Sequence, residues 1–355
     1  MQMKRLLPPE RLHGRGTAVN PKNRFVAYEH VHDHTEDEPR AVPVTQLFLD
    51  TTKSIIAKND SPDVGFNAGI NPYRGCEHGC IYCYARPTHE YLGFSAGLDF
   101  ESKILVKKNA PELLRAALAS PKWVPQVLAL SGVTDAFQPI ERKLHITRRC
   151  LQVLAEFRNP VVIITKNFLV TRDIDYLAEL ARVNAAAVII SITTLNAKLA
   201  RIMEPRASHP SRRLEAIQKL AAGGIPAGVN IAPVIPGLTD EEIPAIVQAA
   251  VAAGASFAGM QPVRLPYGVK DLFSQWLETH MPDRKDKVLN RIRAMRGDKL
   301  NDSRFGARMQ GEGIFAEQIA GLFEIACRKA KILGNRPQLS TAQFRREPGS
   351  QMALI

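Results

Sequence analysis

No apolar run in the 355 residues approaches the roughly 18 that a membrane span needs, and no membrane partner is expected. The basic start, Lys4, Arg5, Arg11 and Arg15, is followed by neither an apolar core nor a small-residue cleavage site, so no secretion signal is read and a cytoplasmic protein is expected. Cysteine is scarce. There are five, three of them within eight residues, which does not make a disulfide framework. A composition of 45% hydrophobic and 23% charged residues excludes a wholly disordered or collagenous chain. At 355 residues the length fits two domains or one large α/β barrel.

Charge is unevenly placed. Lys and Arg number 47 against 35 Asp and Glu, a net of +12. Residues 284 to 308 hold nine basic residues against Asp286, Asp298 and Asp302, and so supply six of the twelve excess charges. Within that stretch Val288, Ile292 and Met295 recur at helical spacing, leaving Arg284, Lys287, Arg291 and Arg296 for other faces. Such a field favours anionic partners, nucleic acid among them, although a merely solvated basic face reads the same way. Few aromatics interleave with these charges, which predicts phosphate contact without strong base stacking.

Residues 1–45 show no sustained period and read as a basic then acidic flexible arm. Val44 to Ala57, followed by the turn Asn59-Asp60-Ser61-Pro62, suggests a strand or hairpin leading to the cysteines. Strands are then expected at Ile104 to Lys107, Val127 to Leu130, Val161 to Thr165, Val188 to Thr193, Gly228 to Ala232 and Ala258 to Val263. Helices are expected at 111–119, 144–157, 174–183, 208–222 and 240–253, with stops at Asn159-Pro160, Gly223-Gly224 and Gly254. This alternation predicts βαβ units and a parallel sheet over 46–266, where ligands gather at the C-terminal ends of strands. Further helices near 270–280, 284–296 and 312–332 make residues 267–355 a helical extension with a loose tail from Asn335.

Cys76, Cys80 and Cys83, spaced Cys-x3-Cys-x2-Cys, place three soft ligands on one short loop, and neither Cys150 nor Cys327 has the local spacing to complete a four-thiolate site. Three thiolates on a four-iron cubane leave one iron open. A zinc ion would instead need His78 or His89 as a fourth ligand, giving a zinc-stabilised, non-catalytic nucleic-acid-binding protein. Tyr82 before the third cysteine, and Gly75 ahead of the loop, make the pattern resemble the signature of the radical S-adenosylmethionine (SAM) superfamily.

That resemblance implies a partial (β/α)6 barrel of the TIM type, a [4Fe-4S] cluster on Cys76, Cys80 and Cys83, SAM chelated to the open iron, and an external low-potential electron donor. It implies reductive cleavage of SAM to a 5′-deoxyadenosyl radical, with the substrate left unidentified and nucleic acid a candidate. The chain is most similar to the spore photoproduct lyase branch, through Tyr82-Cys83-Tyr84, Thr134-Asp135, Thr165-Lys166, Ser191, Glu204-Pro205 and Ile231-Ala232-Pro233. The likeness implies SAM contacts at Thr134, Asp135, Lys166, Ser191 and Ala232, and a hydrogen-bonding or hydrogen-relay role for Tyr84. Lys166 supplies a cation for a carboxylate, whereas Thr134, Asp135 and Ser191 offer acceptors. Where that branch carries a hydrogen-donating cysteine, this chain has Gly132, so thymine-dimer repair is not carried over.

Overall fold

The computed structural model describes residues 14–26 and 44–346. Ten strands occur in chain order: β1 (Gln46–Leu49), β2 (Ile56–Lys58), β3 (Ala68–Ile70), β4 (Tyr73–Arg74), β5 (Lys103–Val106), β6 (Leu128–Leu130), β7 (Val161–Thr165), β8 (Ala186–Ser191), β9 (Ala227–Val234) and β10 (Phe257–Pro262). β-Branched runs such as Val-Val-Ile-Ile-Thr in β7 suit a sheet covered on both faces. One seven-stranded sheet has the order β10-β9-β8-β7-β6-β3-β2. From β3 to β10 its neighbours are parallel, with Leu128 opposite Val161, Val161 opposite Ala186 and Val188 opposite Ala227. Six parallel strands joined by helices, with an antiparallel hairpin strand at one edge, form an open partial (β/α)6 barrel of the expected class.

Helices close the outer face through apolar stripes. Ile146–Phe157 turns Ile146, Cys150, Leu151, Val153, Leu154 and Phe157 inward. The glycine stops fall as expected: Gly224 and Gly254 take φ of 73° and 100°, conformations that favour a residue without Cβ. At Gly228 a Cβ would stand 2.3 Å from the Phe257 ring, so β10 packs on β9 only because glycine is there.

Four expectations are corrected. The strand read at Ile104 to Lys107 is β5, which pairs with β1 and β4 in a separate three-stranded sheet rather than in the barrel. The first barrel strand is instead β3, whose Ala-Gly-Ile sequence lacks a β-branched run. The part of the arm described, residues 14–26, is packed: Val19 O accepts from Leu98 N at 3.0 Å and Glu101 Oε2 accepts from Gly16 N at 2.8 Å. Residues 1–13 and 27–43 of the proposed arm lie outside the described residues. The tail from Asn335 is docked as far as it is described. Ser340 N donates to Asn184 O at 2.8 Å, Arg345 N donates to Phe157 O at 2.9 Å, and the Phe344 ring meets Phe157 at 6.4 Å.

The fourth correction concerns the basic helix, observed at Pro282–Ala294. Val288, Leu289, Ile292 and Met295 are buried as an apolar stripe requires, but Arg296 is buried with them and donates to Val263 O at 3.1 Å. Arg291 pairs with Asp240 at 3.2 Å. Two of the four expected outward cations therefore serve packing. With the preceding helix Val269–His280, this helix forms a second apolar cluster that includes Cys80, Ile81 and Tyr82, and so backs the cysteine loop. Among the described residues no helix is long and apolar enough to cross a membrane.

Candidate active site

After β3 and β4 the chain turns at Gly75, φ 81°, where a Cβ would lie 3.0 Å from the carbonyl oxygens of Phe100 and Lys103. Only glycine fits, and the turn sends Cys76 N to Phe100 O at 2.9 Å. A second tight point is Gly79, φ 66°, against which Gly16 packs so closely that a Cβ on Gly16 would fall 1.7 Å from Gly79 O. The frame of the loop is Arg86, fully buried. Its guanidinium donates to Cys80 O at 3.0 Å, Gly79 O at 3.2 Å and Gly97 O at 2.9 Å, and pairs with Glu101 at 2.5 Å. Glu77 fixes the near side, accepting from Ile140 N at 2.6 Å and pairing with Arg206 at 3.0 Å. Sequence reasoning missed Arg86, Glu101 and Glu77, because nothing in their spacing distinguishes a buried charge from a solvated one.

The loop faces a cavity of about 880 Å³, counted to its open mouth, at the C-terminal ends of the parallel strands. Cys76, Cys80, Cys83 and Tyr84 line it from the loop, Thr134 and Asp135 follow β6, Lys166 follows β7, Ser191 ends β8 and Ala232 lies in β9. Every site residue expected from the sequence is thus brought to one cavity. Gln261 and Arg264, at and beyond the end of β10, complete the wall and were not foreseen.

Burial pushes the thiols of Cys76, Cys80 and Cys83 above the ordinary range. The charges of Asp135, Cys80 and Cys83 add to the effect at Cys76, whereas Arg86 and Lys166 oppose it at Cys83. Burial thus favours the protonated thiols, and a metal centre would displace their protons. No three His, Cys, Asp or Glu side chains among the described residues gather as a single ion would require. Both histidines named for a zinc site are buried. His78 holds Asp135 Oδ2 at 3.3 Å and the Asn167 amide at 3.1 Å, while His89 is buried among Phe94 and Phe100. A multi-iron cluster, in which each thiolate takes its own iron, suits three separated sulfurs facing one space.

Asp135, expected as an open acceptor, is fully engaged. Its carboxylate accepts from Thr165 Oγ1 at 2.8 Å, Lys166 N at 2.8 Å and Phe137 N at 2.9 Å, besides His78. Burial raises its pKa, but the His78 charge and these bonds outweigh burial and hold it below the ordinary range. Asp135 therefore braces the cavity floor. Thr134 Oγ1 donates to Tyr73 O at 2.8 Å. Lys166 Nζ donates to Ala232 O at 3.2 Å, and burial lowers its pKa. Tyr84 donates from its hydroxyl to Gly132 O at 2.8 Å. Behind them the buried Glu204 carboxylate accepts from Tyr82, from Thr193 Oγ1 at 2.7 Å and from Arg213, whose Nη1 reaches Ser191 O at 3.1 Å. This network ties the cysteine loop to the ends of β8 and β9.

The sequence model of the Radical SAM superfamily matches residues 70–250, from the strand before the cysteine loop to the helix before β10. The chain belongs to that superfamily. Membership brings iron–sulfur and SAM chemistry with it, in keeping with the cavity just described. This radical SAM protein is 35% identical over 220 residues to an uncharacterised protein of Mycobacterium tuberculosis, a match covering 61% of this chain and 65% of that relative. It is 31% identical over 173 residues to an uncharacterised protein of Methanocaldococcus jannaschii, covering 49% and 62% respectively. The matches thus span just under two thirds of these relatives' length. Among solved structures, spore photoproduct lyase complexed with dinucleoside spore photoproduct superposes with a TM-score of 0.59 at 16% identity, covering 81% of this chain and 80% of that one. A mutant of that lyase with bound AdoMet and dinucleoside spore photoproduct gives 0.57 at 15% identity, covering 81% and 79%. Both likenesses show a shared fold.

Proposed function

We propose that this chain is an enzyme that holds a [4Fe-4S] cluster on Cys76, Cys80 and Cys83, one thiolate to each of three irons, and binds SAM beside it. Bound there and given one electron by an external low-potential donor, the pair supplies reductive cleavage of SAM to a 5′-deoxyadenosyl radical that abstracts hydrogen from the substrate. The observation that carries this reading is the convergence of three thiols from one loop with Lys166, Ser191 and Ala232 from three successive strands on one cavity.

Lys166 is the cation for the SAM carboxylate. A carboxylate offers it a stronger acceptor than the Ala232 carbonyl it now holds, and its charge opposes the burial that lowers the lysine's pKa. Thr134 and Ser191 contribute oxygens along the wall, and the backbone at Ala232 offers polar groups to the adenosine. Asp135 keeps Thr165 and Lys166 in register rather than touching the cofactor. Tyr84 stands beside the third cysteine as a contact for SAM or substrate. Gly132 follows β6, so no thiol stands at that strand end.

Anaerobic reconstitution tests the reading. Brown protein with about four irons per chain, yielding 5′-deoxyadenosine on reduction, is expected. Colourless protein with one zinc per chain would overturn it.

A further inference from the structure

The chemistry proposed above makes no use of an exposed aromatic surface built from the N-terminal segment and the turns after Glu90 and Pro266. Phe25 and Tyr91, 56% and 71% exposed, stack with ring centroids 4.7 Å apart and planes 25° apart. Tyr267, 58% exposed, lies 3.6 Å beneath the Arg24 guanidinium, which is also 4.9 Å from the Phe25 ring. Three rings and one arginine therefore form a continuous layered surface. It is held in place: Arg24 pairs with Glu90 at 2.7 Å, and the Asn23 amide donates to Glu90 O at 2.9 Å and Phe94 O at 2.7 Å. Single exposed rings are ordinary, but three fixed together mark a binding surface.

Sequence neighbours tie it to the cavity. Tyr91 comes shortly after Tyr84, and Tyr267 shortly after Arg264, and both Tyr84 and Arg264 line the cavity. Among the described residues Arg264 forms no ion pair. There its Nε is buried without a hydrogen-bond partner, Nη1 reaches the Met309 sulfur at 3.3 Å, and its guanidinium lies 5.3 Å from the Tyr84 ring. Flat exposed rings on one side and an unsatisfied guanidinium on the cavity wall ask for a ligand with π-faces and negative charge. A neutral sugar would satisfy only the rings. A duplex would hide the faces.

Resting on the reading of the cavity as a radical SAM site, we infer that this surface binds single-stranded nucleic acid, its bases stacking on Phe25, Tyr91 and Tyr267 while a backbone phosphate reaches Arg264, so that one nucleotide is presented to the cavity. Stacking of this kind tolerates any base, since each has a π-face. The surface is distinct from the basic helix Pro282–Ala294, and its rings come from three segments far apart in the chain.

The test uses cluster-containing protein under anaerobic conditions and labelled DNA and RNA oligonucleotides of about 12 nucleotides, single-stranded and duplex, followed by fluorescence anisotropy. Single strands should bind at least about tenfold more tightly than duplex, and the double variant Tyr91→Ala, Tyr267→Ala should lose about tenfold or more. Tyr91→Phe with Tyr267→Phe should restore binding, which separates lost stacking from misfolding. Iron content and reductive formation of 5′-deoxyadenosine should be the same in all of these proteins. A protein that makes 5′-deoxyadenosine yet binds duplex as well as single strand, or whose alanine variant binds as the parent does, would overturn this inference and leave the cavity reading standing. Loss of 5′-deoxyadenosine formation in the parent would overturn the cavity reading instead. Competition by poly-glutamate as effective as by the oligonucleotide would overturn the inference in favour of an acidic protein partner.

Discussion

Replacement of Glu204 by Leu should uncouple the cysteine loop from the barrel, and its cost can be worked from the bonds it breaks. Glu204 and Arg213 are 2% and 1% exposed, and the carboxylate is shared by Arg213, Tyr82 and Thr193. Without it Arg213 keeps its bonds to Ser191 O and Ser208 O but remains a buried charge lacking its counter-ion. Breaking a buried pair in this way costs about 3–5 kcal/mol. Thr193 retains Ala232 O at 3.2 Å, and Tyr82 retains only Thr193 at 3.2 Å, so the tyrosine beside Cys83 is the group left worst placed. Tyr82→Phe alone should cost about 1.5–3 kcal/mol, the worth of a hydrogen bond to a charged group. The decisive comparison adds Arg213→Met to Glu204→Leu. With both charges removed the penalty should be smaller than the sum of the single penalties by about 2 kcal/mol or more. Urea unfolding of the metal-free chain gives the stabilities, and iron per chain after reconstitution gives the effect on the loop, expected to fall in Glu204→Leu. Additive penalties, or Glu204→Leu with parental stability and iron, would refute the reasoning.

Replacing any one of Cys76, Cys80 or Cys83 by Ala should abolish stable iron and SAM cleavage together, while Cys150→Ala and Cys327→Ala, in the barrel core, should leave both; iron lost from Cys327→Ala would break the three-ligand assignment. Lys166→Ala should weaken SAM binding by about 1.5–3 kcal/mol with iron content unchanged, as read by anaerobic equilibrium dialysis. His89 gives a pH dependence: burial holds its pKa down at about 4 against an ordinary 6.5, so in that window the unfolded chain binds a proton that the folded chain refuses. Stability from this group is full above pH 6.5 and falls as the pH drops towards 4, by up to about 3 kcal/mol. His89→Phe, with its ring between Phe94 and Phe100, should show a shallower fall in urea unfolding between about pH 7 and about pH 5, and an equal fall in both proteins would dismiss the histidine.

The barrel from β6 onwards was legible because short strands, β-branched in β7 and β8, alternate with amphipathic helices, two of which stop at glycine, and this leaves a period in the sequence. β3 was not: three residues with a central glycine carry no such period, and the strand exists because Ala129 and Ile56 flank it in space. The cysteines were legible by spacing alone. The strand-end residues were legible as a set, since chemistry at the ends of parallel strands is position-coded, but not in their individual bonds: three of the four partners of Asp135 lie elsewhere in the sequence. Arg86 and Glu101 gave no signal, because a buried ion pair and two solvated charges are written with the same letters. The aromatic surface was illegible for the same reason of distance, with Phe25, Tyr91 and Tyr267 each isolated in its own segment.

The close approach of Gly16 to Gly79 bears on how this protein could be dissected. The span that matches its superfamily, residues 70–250, is not a separable module. Trimming the chain to that span would strip the backbone that Gly16 lays against the cysteine loop and leave Glu101 without the Gly16 amide at 2.8 Å. At the other end it would remove β10, whose Phe257 occupies the space left by Gly228, and open β9 to water along its length. The smallest piece able to keep its thiols in place thus reaches from about residue 14 at least through Arg264, with its ends reinforcing opposite walls of one chamber.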